Sequence, residues 1–286
     1  MNELIAKADV LLEALPYMQR FRSSIFVVKY GGSFMDSPDE KVRTGVAADI
    51  VFLEAAGINP IVVHGGGKAI TKAMEKAGIQ AQFVNGLRVT DDATMQVVED
   101  VLGNVINRDI VEMIQKLGGK ARGISGKEVF RCRKLLTDGA DLGYVGAVTR
   151  VETETLKKFL RGSVTPVISP IGLGEDGHAY NINADVAAAQ LAVAIGARRL
   201  VFMSDVPGLL RDPKDPATLI SHLQVKEVAK LKADGVVDKG MIPKVDSAVE
   251  AVNAGVHRVH FVDGRTPHSV LLEIFTDKGI GTEVVK

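Results

Sequence analysis

The sequence predicts an α/β fold built on a parallel sheet, and three observations predict it. Residues 25–30, 61–63, 165–169 and 200–203 are apolar runs without polar alternation, as expected of strands buried on both faces. Two of them run straight into glycines, Lys29-Tyr-Gly31-Gly32-Ser33 and His64-Gly65-Gly66-Gly67-Lys68. Helical periodicity follows each, through Val42, Val46, Ile50 and Leu53 and then Ile70, Ala73, Met74 and Ala77. At 286 residues the chain has room for one large α/β domain or for two lobes with a pocket between them.

Taken in order, residues 1–20 set Leu4, Ile5, Ala8, Leu11, Leu12 and Leu15 on one helical stripe, which Pro16 interrupts. That apolar face needs cover from its own domain or from another subunit. The strand at 25–30 leads to an amphipathic helix over 39–56, ended by Gly57, and the strand at 61–63 to a helix over 68–77. Glycine at a strand's carboxyl end lets the main chain approach a ligand, and the helix N-terminus behind it favours negative charge. Residues 64–68 are therefore predicted to be an anion cradle with uncovered backbone N–H groups. Two such turns on consecutive strands point to one composite site at the carboxyl edge of the sheet, with the cation Lys29 beside the first glycine pair.

Asn85-Gly86 marks a tight turn between short strands over 83–90. Arg88 stands there among apolar neighbours and needs an acidic partner, either a ligand carboxylate held bidentately or a protein carboxylate. A long helix over 92–117 is followed by surface hairpins over 127–150, with the cations Lys127, Arg131, Arg133 and Lys134 on a solvated face. Residues 172–177 match G-x-G-x-x-G, but no helix opens after them and Glu175 and Asp176 would repel a pyrophosphate, so they form a hairpin turn. Asn181-Ile-Asn183-Ala-Asp185 leads into a helix over 186–195; Asn183 suits its N-cap, and Asp185 is able to reach an ammonium.

Gly196 starts a second lobe, whose strand at 200–203 ends in Ser204-Asp-Val-Pro-Gly208 and a ligand-facing loop over 211–216. Gly240-Met-Ile-Pro-Lys244 opens a helix that stops at Gly255. Pro243 is preorganised at that start, whereas Lys244 stands at the electrostatically unfavourable end and asks for an anionic partner. A strand over 257–262, a helix over 267–275 and a short closing strand complete the chain, without internal repeats.

Lys and Arg number 35 and Asp and Glu 35, so no overall charge draws the chain to nucleic acid or to an anionic membrane. The single cysteine, Cys132, excludes an intramolecular disulfide framework and a multi-cysteine zinc site. No apolar run approaches the roughly 18 residues that span a bilayer, and Glu3, Asp9 and Glu13 suit neither a signal nor a transit peptide. The expectation is a cytoplasmic protein.

Two glycine turns, two isolated lysines, an aspartate between them and an arginine for a carboxylate are the inventory of phosphoryl transfer without covalent catalysis. The P-loop motif and the protein-kinase signatures are absent. His64-Gly-Gly-Gly also resembles the oxyanion segment of lipases, but that chemistry needs G-x-S-x-G, and Gly123-Ile-Ser-Gly-Lys127 lacks the last glycine. A small-anion sensor on the same fold would not need Lys29, Asp185 and Lys244 together.

Lys29-Tyr-Gly-Gly, His64-Gly-Gly-Gly, Gly86-Leu-Arg-Val-Thr90, Asn181-Ile-Asn-Ala-Asp185, Ser204-Asp-Val-Pro-Gly208 and Gly240-Met-Ile-Pro-Lys244 stand in an order that resembles the acetylglutamate kinases of the amino acid kinase family. The resemblance runs from about residue 25 to the end. It implies a three-layer αβα sandwich in two lobes, with residues 23–195 binding N-acetyl-L-glutamate and mediating dimerisation and 196–286 binding ATP. It implies transfer of the ATP γ-phosphoryl to the substrate's side-chain carboxylate for arginine synthesis, with Mg²⁺ arriving on ATP and no protein-built metal site. By motif, Lys29, Lys244 and Asp185 are catalytic, and Gly32, Gly65 and Gly66 bind phosphoryl oxygens. Gly66, Gly67, Arg88 and Asn181 hold the substrate, while Ser204, Asp205, Val206, Gly208, Leu209 and Lys244 bind the nucleotide. Among relatives acting on aspartate, glutamate or carbamate, the aspartokinases carry an appended regulatory domain that this chain is too short to hold, and Gly86 to Thr90 favours acetylglutamate.

The N-terminal helix over 1–22 and the segment Glu273-Ile-Phe-Thr-Asp-Lys-Gly279-Ile-Gly-Thr282 resemble the arginine-inhibited branch. That implies paired N-terminal helices linking dimers into a hexamer, a trimer of dimers, and an L-arginine site formed by Glu273, Gly279 and His260 with Tyr17 and Lys226.

Overall fold

The computed structural model describes residues 2–31, 39–137, 139–237 and 240–286. Gly32 and Ser33, in the first glycine turn, lie outside the described residues, as do the side chains of Leu4, Ala8 and Leu11 in the N-terminal stripe. The first helix, α1, spans Asn2–Phe21 and carries Pro16 inside it. The proline therefore does not end the helix: the turns beyond it are fastened to the body, Tyr17 edge-on to Phe275 at 6.2 Å and Phe21 to Phe26 at 5.3 Å.

Next come β1 (Ile25–Tyr30), α2 (Glu40–Ala55), β2 (Asn59–His64), α3 (Gly67–Lys76) and the hairpin β3 (Phe83–Val84) to β4 (Leu87–Arg88). The helix expected over 92–117 is present as α4 (Asp92–Glu99), a π-helical stretch Asp100–Ile106, and α5 (Asn107–Lys116). Then follow β5 (Ala121–Ile124), β6 (Phe130–Lys134), β7 (Gly146–Val151), α6 (Glu154–Arg161), β8 (Thr165–Ile168), β9 (Ile171–Gly174), β10 (Ala179–Asn181) and α7 (Ala184–Ile195). The remainder is β11 (Arg199–Ser204), β12 (His222–Gln224), α8 (Val228–Ala233), α9 (Ile242–Asn253), β13 (Arg258–Asp263), α10 (Ser269–Ile274) and β14 (Thr282–Val285).

The main sheet has the order β12-β14-β13-β11-β1-β2-β8-β5, and only the β13–β14 pairing is antiparallel. Along β1, Val27 joins a core with Phe202, Leu191, Val245 and Phe261, whereas Phe26, Val28 and Tyr30 join one with Ile50, Met74, Leu102 and Val270. Alternating residues thus enter opposite cores, which makes the three-layer αβα sandwich. The sheet runs unbroken past Gly196, because β11 lies directly beside β1.

A second sheet, β10-β9-β6-β7, contains the hairpins expected over 127–150. It is not wholly superficial: Phe130 and Cys132 point into the core while Arg133 and Lys134 face solvent. Burial pushes the Cys132 thiol up to about 11, so the flanking cations do not activate it. The G-x-G-x-x-G stretch is the β9–β10 hairpin, as expected.

Candidate active site

The capping of α7 fixes the centre of the site. The Asn183 side chain accepts from the Asp185 and Val186 amides at 2.9 and 3.2 Å, which leaves the Asp185 carboxylate free to point off the first turn. Lys29 of β1 meets its Oδ1 at 2.9 Å, and Lys244, in the opening turn of α9, meets Oδ2 at 3.1 Å. Burial works to raise the Asp185 carboxyl, but the charges and hydrogen bonds of the two lysines outweigh it and hold it below its ordinary value. Asp185 is thus the anionic partner that Lys244 needed.

Beside this triad lies the turn from β2 to α3. The expectation that all three glycine amides are uncovered fails at Gly65, whose N–H donates to the Tyr30 carbonyl at 2.8 Å and extends the β1–β2 ladder. Gly66 and Gly67 behave as expected: among the described residues their N–H groups find no acceptor. A Cβ on Gly67 would meet nothing within 4 Å, so its face is open.

Arg88 is buried, donating to the Gly67 carbonyl at 2.9 Å and to the Thr71 hydroxyl at 2.8 Å, with its guanidinium 4.7 Å from the Phe83 ring centroid. Burial lowers its pKa. Among the described residues no carboxylate pairs with it, so the protein salt bridge left open by the sequence is not made. A 240 Å³ cavity is lined by Lys29, Gly65, Gly66, Gly67, Arg88, Asn181 and Asp185, which the sequence had scattered over more than half its length. A second cavity of 1020 Å³ shares Gly86, Leu87, Val145, Asn183 and Asp185 with it and adds Lys244.

The amino acid kinase family model matches residues 24–263. An acetylglutamate kinase of Clostridium beijerinckii is 47% identical over 281 residues, covering 97% of this chain and 98% of its own. One of Syntrophomonas wolfei is 50% identical over 280 residues, covering 98% and 97%. The chain belongs to the acetylglutamate kinases of the amino acid kinase family. The solved structure of an N-acetylglutamate synthase from Neisseria gonorrhoeae, complexed with coenzyme A and N-acetyl-glutamate, superposes with a TM-score of 0.86 at 28% identity, over 96% of this chain but 62% of the synthase. The complex with coenzyme A and L-arginine gives 0.82 at 27%, over 96% and 64%.

In this amino acid kinase the run expected to bind nucleotide follows β11 at the same sheet edge, but it lines neither cavity. Ser204 exchanges hydrogen bonds with Val206, and Asp205 is exposed. Gly208 and Leu209 are both buried, the Leu209 amide donating to the Thr282 hydroxyl at 2.9 Å. Gly208, at φ 151°, has room for no side chain, since a Cβ would stand 2.6 Å from that hydroxyl.

Where α1 ends, a 580 Å³ cavity brings together Tyr17, His260, Glu273 and Gly279. Glu273 meets His260 Nδ1 at 2.7 Å and accepts from the Ile280 and Gly281 amides, while the Tyr17 hydroxyl bonds to Asp277. Lys226 does not join them; it is exposed on the short turn Val225–Glu227, and the cations of this wall are Arg20, Arg199, Arg258 and Lys278. Sequence reasoning placed His64 in the cradle without a role of its own and missed Asn107; both are buried behind the glycine turn. The available signal was a polar Asn107 beside Ile106 on the inward face of an otherwise apolar helix stripe.

Proposed function

We propose that this chain transfers the γ-phosphoryl group of ATP to the side-chain carboxylate of N-acetyl-L-glutamate, giving N-acetyl-L-glutamyl 5-phosphate for arginine biosynthesis. The observation that carries this is Asp185 holding Lys29 and Lys244 where the two cavities meet. Membership of the acetylglutamate kinases supports the acceptor, and Arg88, which among the described residues pairs with no protein carboxylate and lines the 240 Å³ cavity, supports a ligand carboxylate there.

The acceptor carboxylate is already ionised near neutrality, so it attacks phosphorus without a general base. One O–P bond forms on the carboxylate while the bond from phosphorus to the β–γ bridging oxygen breaks. The chain's task is position and charge. Arg88 holds the α-carboxylate, Asn181 and the Gly66 and Gly67 amides orient the substrate, and the amides also meet phosphoryl oxygens. Lys29 and Lys244 neutralise charge on the transferred group, and Asp185 keeps them apart and aimed. Mg²⁺ bound to the ATP phosphates would add further neutralisation; among the described residues no group of three or more His, Cys, Asp or Glu gathers to hold a metal.

On the same reading residues 23–195 carry the acyl substrate and dimerise, residues 196–286 carry ATP, and L-arginine inhibits through the 580 Å³ cavity. That a solved relative on this fold, the synthase, is complexed with L-arginine supports L-arginine as a ligand. Residues 1–22 link dimers into a hexamer, for which the exposed Ile5, Leu12 and Leu15 (51%, 62% and 43%) supply an apolar face. The setting is the cytoplasm; among the described residues no helix is long and apolar enough to cross a membrane.

The test is steady-state phosphorylation with MgATP and N-acetyl-L-glutamate, L-glutamate or L-aspartate, with and without L-arginine. Turnover of the acetylated substrate alone, suppressed by arginine, is the expected result. Turnover of a free amino acid would move the substrate, and none on any would leave a sensor.

A further inference from the structure

One helical segment closes on the glycine turn at three points. Leu102 and Ile106 of the π-helical stretch press on Gly66, where a Cβ would stand 2.5 Å from one and 2.6 Å from the other. Asn107 follows at once, buried, its Nδ2 donating to the Val167 carbonyl at 2.9 Å and lying 3.2 Å from His64 Nε2. π-Helical insertions turn the residues after them to a new face, and they gather at functional sites.

His64 is fully buried, with Nδ1 3.0 Å from the Gly65 carbonyl. A carbonyl only accepts, so Nδ1 carries the proton and Nε2 is the bare nitrogen that an amide donor matches. Burial pushes its pKa down to about 4, the Gly65 carbonyl working the other way, and no charged side chain contributes. Neither His64 nor Asn107 lines the 240 Å³ cavity.

The carbonyl of Gly65 and the N–H of Gly66 belong to one peptide unit, and in a trans peptide they point in opposite directions. Its neighbour unit is fixed as well, by the Gly65 N–H on Tyr30.

We propose that Asn107 and His64 are positioning residues for phosphoryl transfer: Asn107 selects the Nδ1–H tautomer of His64, His64 holds the Gly65 carbonyl, and that bond aims the Gly66 N–H at the transferred group. The proposal rests on the kinase reading above.

Asn107→Asp tests it, because a carboxylate keeps the shape but only accepts. It draws the imidazole proton to Nε2 and leaves a bare Nδ1 facing the Gly65 carbonyl, so the peptide is released. The new carboxylate beside the ring also favours its charged form, so lowering the pH protonates both nitrogens, both donate and the peptide is held again. The variant should therefore lose about 10–100-fold in kcat at pH 8.5 and regain at least about fivefold, relative to the unaltered enzyme, on lowering the pH to 6. A ratio that stays flat with pH would mean a merely structural role and overturn the proposal. The second measurement needs no turnover: in protein carrying ¹⁵N-labelled histidine, with the His64 signals assigned through His64→Gln, the ring should be the Nδ1–H tautomer from pH 8.5 to 6. An Nε2–H tautomer overturns the relay. Absence of kinase activity in the unaltered protein would sink the function instead, and the spectrum would still decide the relay.

Discussion

Two carboxylates in this molecule are buried almost equally, Asp185 at 6% and Glu273 at 8% exposure, and their partners could hardly differ more. Asp185 lies between ammonium groups from opposite ends of the chain, at the tips of long side chains. Glu273 gives one oxygen to His260 and the other to the backbone amides of Ile280 and Gly281 at 2.7 and 2.8 Å. Ammonium groups on four-carbon stems are able to share themselves with an incoming anion; amides in the main chain stay put. On the mechanism proposed above Asp185 organises charge for a reaction, whereas Glu273 clasps the loop leading into β14. Mobility of the partners, not depth of burial, separates the two roles.

Breaking the first arrangement should give the largest effects. Lys29→Ala and Lys244→Ala are each expected to lower kcat by about 10²–10³-fold in the phosphorylation assay, the scale of losing one preorganised donor. Unchanged turnover in both would make Asp185 a clasp like Glu273. Asp185→Asn leaves two ammonium groups without their counter-charge and should cost about 3–5 kcal/mol in urea unfolding.

Arg88→Lys keeps the charge at the far end of the same cavity but loses the planar fork. KM for N-acetyl-L-glutamate should rise about tenfold, with kcat less affected. Glu273→Gln sharpens the comparison from the other side. It keeps the shape and weakens the clasp by about 1–3 kcal/mol, raising the L-arginine concentration for half-inhibition. Deleting residues 1–20 should do the same and yield dimers in sedimentation; persistent hexamers would sink the role given to α1.

The smallest effect concerns His64, buried with no charged partner among the described residues. Its folded pKa of about 4 lies below the ordinary 6.5, so the stability it contributes is fully present above pH 6.5 and is lost as the pH falls toward 4. At pH 5.5 the loss relative to His64→Asn should be about 1 kcal/mol by chemical denaturation.

The strands, the glycine turn after β2 and the Asn183 cap were legible because each is a local pattern: an apolar run, a residue without a Cβ, a side chain one turn from the amides it accepts. Lys244 was legible for a different reason, being the wrong charge at a helix start. What escaped was settled through space. Nothing near Gly65 in the chain says that its amide completes a ladder with Tyr30. A separation of 43 positions between His64 and Asn107 hides their bond, and the π-helical stretch that turns Asn107 inward has no signature in apolar spacing. Lys226 was placed by likeness alone, and the cavity wall took its cations from elsewhere.

The lone thiol gives this enzyme a built-in clock. Cys132 is 1% exposed, in β6 beside β7, and β7 forms part of the wall of the 1020 Å³ cavity through Gly146, Ala147 and Val148. An alkylating reagent in native buffer has nothing to consume until Cys132 is exposed, so its rate reports the openings that uncover this part of the core. A nucleotide or acyl substrate that seats against the same wall would slow the count, and occupancy could be read without watching any phosphate move.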